Sequence, residues 1–153
     1  MKKMKLFLGI LIGLLIISSC SSDDDSNSDT GSIIGTWKPI KEVDVCSTGF
    51  EDVYDFDSCE QTGRIIFSED GTLNITEYDL ENGNCEQYYN STGTWTLTGD
   101  NLSVTLDGET INPTFFELTN NTLRVGYYDN DENDPCDGGN LPSHYYTEYT
   151  RVE

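Results

Sequence analysis

The cysteine thiols beyond residue 40 are the side chains with the clearest chemistry, either as metal ligands or as disulfides. They belong to Cys46, Cys59, Cys85 and Cys136. A structural zinc site needs Cys-x-x-Cys pairs or closely spaced histidines. The sequence has no such pair, and its one histidine, His144, lies at no metal-ligand spacing. In an oxidising compartment this even number of cysteines indicates two disulfides, and we expect no metal site.

Candidate catalytic groups are few. The sequence has no Gly-x-Ser-x-Gly nucleophile motif. His144 follows Pro142 at the entry to a predicted strand, where it fits the rim of a fold. Oxidised cysteines cannot act as thiolate nucleophiles, and carboxylates are so numerous that no particular pair stands out as a general acid and base. We therefore expect no catalytic residue, no cofactor and no enzyme activity.

An acidic loop is the remaining candidate for metal binding. Oxygen ligands alternate at Asp129, Asp131 and Asn133, as in the first half of a calcium-binding loop. The sixth position is Asp134, where such a loop needs glycine, and the twelfth is Asn140, where it needs a bidentate glutamate. The pattern favours a solvated acidic loop, and calcium binding by it stays an open question.

The N-terminus has the pattern of an export signal. Lys2, Lys3 and Lys5 precede an apolar run at residues 6–17. This run is shorter than the ~20 apolar residues that a membrane-spanning helix needs. The pattern therefore predicts a secretory signal peptide, and the rest of the chain is expected in an oxidising compartment.

The end of this segment carries a more specific motif. Residues 17–20, Ile-Ser-Ser-Cys, resemble the lipobox of bacterial lipoproteins. The resemblance implies cleavage before Cys20 and acylation of its thiol and new amine, so residues 1–19 are predicted to be a lipoprotein signal peptide. After the cysteine, residues 20–32 contain only Ser, Asp, Asn, Thr and Gly. Such a segment cannot bury enough apolar surface to order itself, which predicts a disordered acidic tether.

An aspartate run follows the predicted anchor. Residues 23–25, Asp-Asp-Asp, resemble the acidic export signal that sends lipoproteins to the outer face of the outer membrane in one group of Gram-negative bacteria. The resemblance implies a protein that is lipid-anchored in the outer membrane and faces the cell exterior. An anchor that faces the periplasm is the alternative.

The charge of the chain limits its partners. The net charge is −20, and the predicted signal peptide contains three of the eight basic residues but no acidic one, so the mature protein is still more negative. Nucleic-acid phosphates and anionic headgroups would repel it. We expect no nucleic-acid partner, and membrane association through the acyl anchor alone.

Apolar and polar residues alternate with period two through residues 33–153, which predicts one all-β domain. Residues 64–67 and 72–78 flank Ser-Glu-Asp-Gly, and residues 94–97 and 102–106 flank Thr-Gly-Asp-Asn, which predicts two hairpins. About eight short antiparallel strands favour an up-and-down barrel, or failing that a sandwich. The further predicted strands are residues 35–45, 86–89 (as an extension of the strand at 94–97), 110–118 (with Pro113 at an edge or a bulge), 122–128 and 145–152.

The strand prediction narrows the disulfide pairing. Cys59 precedes the first strand of the first hairpin, and Cys85 follows the second strand. Antiparallel pairing brings these two ends together, which favours a Cys59–Cys85 bridge. Cys46 and Cys136 then pair by elimination, joining the end of the first strand to the loop before the last.

A Gly-Thr-Trp sequence opens the first predicted strand and resembles the G-x-W motif of lipocalins. In that family the tryptophan seals one end of the barrel, and an arginine from the last strand packs across it. The resemblance implies these barrel-closing roles for Gly35, Trp37 and Arg151. Phe-x-x-Asp-Gly-Thr at residues 67–72, followed by Gly-Thr-Trp at 93–95, is similar to lipocalin-like domains of bacterial lipoproteins. The resemblance therefore implies a lipocalin-like barrel in a Gram-negative surface lipoprotein.

Tyrosine doublets provide the candidate ligand contacts. They begin at Tyr88, Tyr127 and Tyr145, within predicted strands, so one ring of each doublet faces the interior. In the simplest interpretation these rings are core residues. If they line a barrel mouth instead, they suit a small hydrophobic or amphiphilic ligand or a glycan. An eight-stranded barrel has room for little beyond its own side chains or one small ligand.

We therefore expect a lipid-anchored, monomeric, non-enzymatic barrel that binds a small amphiphilic ligand or a protein partner. The alternative is a fully packed barrel that serves as a structural or interaction module of an outer-membrane complex, without a small-molecule ligand. An empty cavity open at one end would favour the first hypothesis, and a filled interior the second.

Overall fold

A computed structural model of the chain describes residues 31–129 and 138–152. The predicted signal peptide, residues 20–30 of the predicted tether, the predicted disulfide partner Cys136 and most of the acidic loop lie outside these residues. Residues 31 and 32, the end of the predicted tether, are described, and the Ser32 carbonyl accepts a hydrogen bond from Arg151. Within them, no helix is both long and apolar enough to cross a membrane.

The described residues form ten strands and one 3-10 helix: β1 Gly35–Val45, β2 Glu51–Asp55, the 3-10 helix Glu60–Thr62, β3 Arg64–Phe67, β4 Thr72–Glu81, β5 Asn84–Thr98, β6 Asn101–Leu106, β7 Glu109–Ile111, β8 Phe115–Leu118, β9 Thr122–Tyr128 and β10 His144–Val152.

The strands form one antiparallel sheet in the order β7-β6-β5-β4-β3-β1-β10-β9-β8, and β2 also pairs with β1. This is the chain order taken in a circle, because the first strand pairs with the last along almost its whole length. Within the described residues, the circle is interrupted between β7 and β8. The sheet is therefore an all-β, up-and-down barrel, which confirms the predicted fold class.

Two details of the sheet differ from the prediction. The single strand predicted over residues 110–118 is two strands, β7 and β8. Pro113 lies between them, and a proline cannot donate a ladder hydrogen bond, so pairing stops there. The prediction also lacks β2, whose five residues are all exposed and therefore show no alternation.

A β-bulge in β1 changes which of its side chains face the interior. β1 and β10 pair one to one on both sides of Ile40, which itself has no partner in β10. One extra residue reverses the alternation of a strand. Trp37 and Pro39 face the interior before the bulge, but after it Glu42 does so, and Val43 lies on the outer face.

Apolar clusters lie on both faces of the sheet. The outer one consists of Val43, Phe115 and Tyr146, and the last two rings stack 5.1 Å apart. Gly126 pairs with both ring-bearing residues, so its missing side chain lets the rings meet across β9. The interior cluster is larger and draws on strands from all around the barrel: Ile33, Trp37, Phe67, Leu73, Leu102, Val104, Leu106 and Leu123.

The predicted local pairings are present. β3 pairs with β4, and β5 with β6, which confirms both hairpins. The Cys59–Cys85 disulfide is confirmed, with a Cα–Cα distance of 5.4 Å, and it ties the 3-10 helix segment to the start of β5. Cys46 is also disulfide-bonded. Its pairing with Cys136 stays a prediction, because Cys136 lies outside the described residues.

Candidate ligand-binding site

One end of the barrel is closed by the residues that the sequence suggested for this role. Trp37 is fully buried, and its indole N–H donates to the carbonyl of Ile33 at 2.8 Å. The guanidinium carbon of Arg151 lies 4.2 Å from the centre of the indole, and its Nη1 donates to the carbonyl of Ile34 at 2.9 Å. Gly35 has a φ of +140°, and a Cβ there would collide with the Arg151 guanidinium. This end therefore has no room for a ligand.

The interior next to the closed end is also filled. Leu73 and Leu123 are fully buried beside Trp37. The rings of Phe67 and Trp95 meet edge to face, with their centres 5.5 Å apart. Side chains therefore occupy this half of the barrel as a packed core.

The opposite half of the interior is open. It contains a cavity of about 220 Å³, which we name the cup. Its apolar wall includes Pro39 and Ile65, and part of its side is formed by the segment around the 3-10 helix, which the Cys59–Cys85 disulfide holds in place. The cup has an aromatic and acidic lining. Its aromatic side chains are Tyr54, Phe56, Tyr78, Tyr88 and Tyr149, and its acidic ones are Glu42, Glu60, Glu77 and Asp79.

Two bulges bring key side chains into the cup. The bulge at Ile40 turns Glu42 inward. A second bulge lies in β5, where Tyr88 has no partner in β4. Without these two irregularities, the strands would present different residues to the cup.

The carboxylates of the cup repel one another. Partial burial raises the pKa of Glu42 above its usual range, and the negative charges of Asp44, Glu60 and Glu77 raise it further. Partial burial and the neighbouring Glu77 carboxylate raise the pKa of Tyr88 to about 12. Burial raises the pKa of Tyr149 as well, and the nearby glutamates add to this effect. The cup is therefore a region of negative potential.

Cationic side chains of the described residues balance this negative charge only in part. The ion pairs formed by Lys41 and Arg124 with Glu148, at 3.7 and 2.8 Å, lie on the outer face. Arg64 lies at the edge of the cup, but its Nη1 donates to two backbone carbonyls just before it in the chain, at 2.8 and 2.5 Å. Across residues 31–129 and 138–152, there is no cluster of three or more side chains suited to hold a metal ion.

The family comparison agrees with this architecture. Residues 33–125 match the family described as the lipocalin-like domain. The chain belongs to this family. Lipocalin-like domains are generally binding folds without enzyme activity. No curated protein matches the chain.

Two solved structures resemble the lipocalin-like barrel. One is a lipocalin-like protein from Bacteroides uniformis ATCC 8492, with 12% identity and a TM-score of 0.46, over 80% of this chain and 100% of that chain. The other is an uncharacterized protein from Bacteroides eggerthii DSM 20697, with 14% identity and a TM-score of 0.44, over 79% of this chain and 100% of that chain.

The lipocalin-like barrel separates the predicted ligand-binding tyrosines. Tyr88 lines the cup. Tyr145 lines a second cavity of about 340 Å³ beside His144, and the ring of Tyr127 lies 5.6 Å from that of Tyr145. His144 begins the last strand and stacks on Phe115 at 4.5 Å, which is a packing role.

Sequence reasoning missed most residues of the cup. Tyr149 lies two positions before Arg151 and so on the same face of β10, which strand alternation alone could have revealed. Tyr54 lies in the strand that was not predicted. Glutamates of the cup such as Glu42 and Glu77 gave no signal, because acidic residues occur throughout the chain.

The raised pKa of Glu42 predicts a pH-dependent stability. A folded-state pKa above the usual 4.5 means that the fold binds this proton more tightly than the unfolded chain does. Stability is therefore lost as the pH rises from the pKa of the unfolded chain through the higher pKa of the folded protein. We expect Glu42→Gln to raise the melting temperature at pH 7, with the gain vanishing below pH 4.5. Thermal unfolding followed across this pH range would measure it.

The matched control is Glu109→Gln, on the exposed strand β7. It should leave the melting temperature within error of the unmodified protein at both pH values. A Glu42→Gln variant that is less stable at pH 7 would contradict the proposed repulsion among the cup carboxylates.

Proposed function

We propose that the protein is a lipid-anchored, non-enzymatic binding protein of the outer membrane, which faces the cell exterior and holds one small ligand in the cup. The observation that carries the proposal is the contrast between the two halves of the barrel. Side chains fill the half next to Trp37, whereas the other half keeps a cavity of about 220 Å³.

The size and lining of the cup indicate a compact ligand. Its volume of about 220 Å³ is below the ~300–1,000 Å³ of pockets for drug-sized molecules. Tyr54, Tyr88 and Tyr149 offer flat apolar faces with polar tips. This combination suits a small amphiphile better than a long acyl chain.

The anchor rests on the sequence. The lipobox-like Ile-Ser-Ser-Cys provides Cys20 for acylation, and the acidic tether after it would hold the barrel away from the membrane. The large negative charge keeps the barrel off anionic headgroups and supports a monomer. The presence of the cup favours a ligand-binding protein. A module that only contacts another envelope protein would be expected to have a fully packed barrel.

Native mass spectrometry of protein purified from the membranes of its own cells tests both the lipid anchor and the bound ligand. We expect a polypeptide that begins at Cys20 and carries acyl chains, with part of the population heavier by one small molecule. Tyr88→Leu should lose the added molecule, because it removes a ring of the cup. Tyr128→Leu, which changes an exposed tyrosine outside the cup, should retain it.

The lipid anchor and the ligand binding can be contradicted separately. A mature protein without fatty acid would contradict the anchor. An acylated protein with no added mass, even under the gentlest ionisation, would contradict ligand binding and favour the packed interaction module.

A further inference from the structure

We propose that the ligand of the cup is a small organic cation, whose ammonium group lies between the carboxylates of Glu42 and Glu77 and against the tyrosine rings. The inference rests on the proposed function, because it names the chemical class of the ligand in the same cavity. Three independent features of the cup support it: its unbalanced charge, its exposed ring faces and its shape.

The first feature is an excess of negative charge over the positive charge of Arg64, which also lines the cup. Glu42, Glu60 and Glu77 all line the cup. The ion pairs found among the described residues involve other carboxylates, Glu117 and Glu148. The whole chain adds a net charge of −20, so a cation is attracted from a distance and an anion is repelled.

The second feature is the orientation of the tyrosines. The Tyr54 hydroxyl lies 3.3 Å from both carboxylate oxygens of Glu60, and the Glu77 carboxylate neighbours the Tyr88 hydroxyl. The contact with Glu60 holds the Tyr54 ring in place with its polar tip already satisfied. Tyr88 remains 66% exposed, so its ring is available to a ligand. An aromatic face attracts an ammonium group, and rings with nearby carboxylates are a known means of holding quaternary ammonium ions.

The third feature is the shape of the cavity. The cup has a volume of about 220 Å³, more than a bare ion needs, and part of its wall is the apolar surface of Pro39 and Ile65. A metal ion would leave these apolar groups and rings unused, and the described residues contain no cluster suited to a metal. An ammonium compound with a short apolar body would contact the carboxylates, the tyrosine rings and the apolar wall.

A matched pair of probes isolates the charge. Choline and 3,3-dimethyl-1-butanol have the same shape and the same hydroxyl, but only choline carries a positive charge. Each is titrated by calorimetry into the purified full chain in non-ionic detergent, at low and at high salt. We expect choline to bind at least about tenfold more tightly than the neutral alcohol, with an affinity that falls as salt rises.

Variants locate the site. The double variant Glu42→Gln/Glu77→Gln should lower choline affinity by about tenfold or more while leaving the neutral alcohol unaffected, because it removes charge and keeps shape. Tyr88→Leu should weaken both probes. Glu109→Gln and Glu117→Gln, which change carboxylates outside the cup, should leave both affinities unchanged.

The outcomes separate this inference from the proposed function. Equal binding of both probes, abolished by Tyr88→Leu, would overturn the cation inference and leave ligand binding in the cup standing. Choline binding that survives the double glutamine variant would also overturn it. If neither probe binds at millimolar concentration, the cation inference fails for ligands of this size, and the mass of a co-purifying molecule decides the proposed function independently.

Discussion

Replacing Trp37 with alanine is expected to lower the free energy of unfolding by about 3–5 kcal/mol, the usual loss for a large buried aromatic residue. The indole is fully buried in the interior cluster. It donates to the Ile33 carbonyl and supports the Arg151 guanidinium on its face. Since a domain is typically stable by only ~5–15 kcal/mol, this single change would remove a large share of the total. Urea denaturation followed by circular dichroism measures it.

Two further variants serve as comparisons for the stability loss of Trp37→Ala. Tyr88→Ala also removes a large ring, but from an exposed position, and should cost much less. Trp37→Phe keeps an aromatic ring while losing volume and the hydrogen bond to Ile33, so it should fall between the two. If Trp37→Ala loses no more than Tyr88→Ala, the residue does not seal the barrel.

The double variant Cys59→Ala/Cys85→Ala is expected to be the second most damaging change. The two cysteines are 26 residues apart, and for a loop of that length the entropy lost by the unfolded chain corresponds to about 3.5 kcal/mol. Cys59 is also buried. Urea denaturation under non-reducing conditions would show the loss as a lower transition midpoint.

The disulfide also has a consequence for the cup. It holds the segment with Phe56 and Glu60, both of which line the cavity. The double cysteine variant should therefore weaken choline binding at temperatures where it is still folded. Asn84→Ala, which changes the exposed neighbour of Cys85, should stay within about 0.5 kcal/mol of the unmodified protein. A double cysteine variant as stable as the Asn84→Ala control would contradict the stabilising role of the bridge.

Local patterns predicted most of the barrel. The hairpin of β3 and β4 follows from Asp70 and Gly71 between two alternating runs: Asp70 accepts a hydrogen bond from the backbone N–H of Thr72, and Gly71 has a φ of +82°. The Cys59–Cys85 bridge follows from that hairpin, since antiparallel strands bring their outer ends together. These predictions succeed because they depend on neighbours in the chain.

Predictions that needed the register of distant strands were less complete. Simple alternation from Trp37 places Val43 in the interior, but the bulge at Ile40 moves it to the outer face. There it packs with Phe115 and Tyr146, an association that no local pattern indicates. The doublet beginning at Tyr145 buries its second ring, that of Tyr146, on the outer face of the sheet.

The amino-acid sequence by itself determined the all-β class, the hairpins and one disulfide, because each depends on short-range alternation or on the strand ends that a hairpin brings together. The contact between Trp37 and Arg151 joins the first and last strands, and only the resemblance to lipocalins implied it. Only the tertiary structure decided the content of the cup. Glu42 and Tyr88 lie there because two bulges each insert one unpaired residue into a strand, the first into β1 and the second into β5. A bulge is selected by the fit of whole strands against their partners, and that fit is a property of the closed sheet.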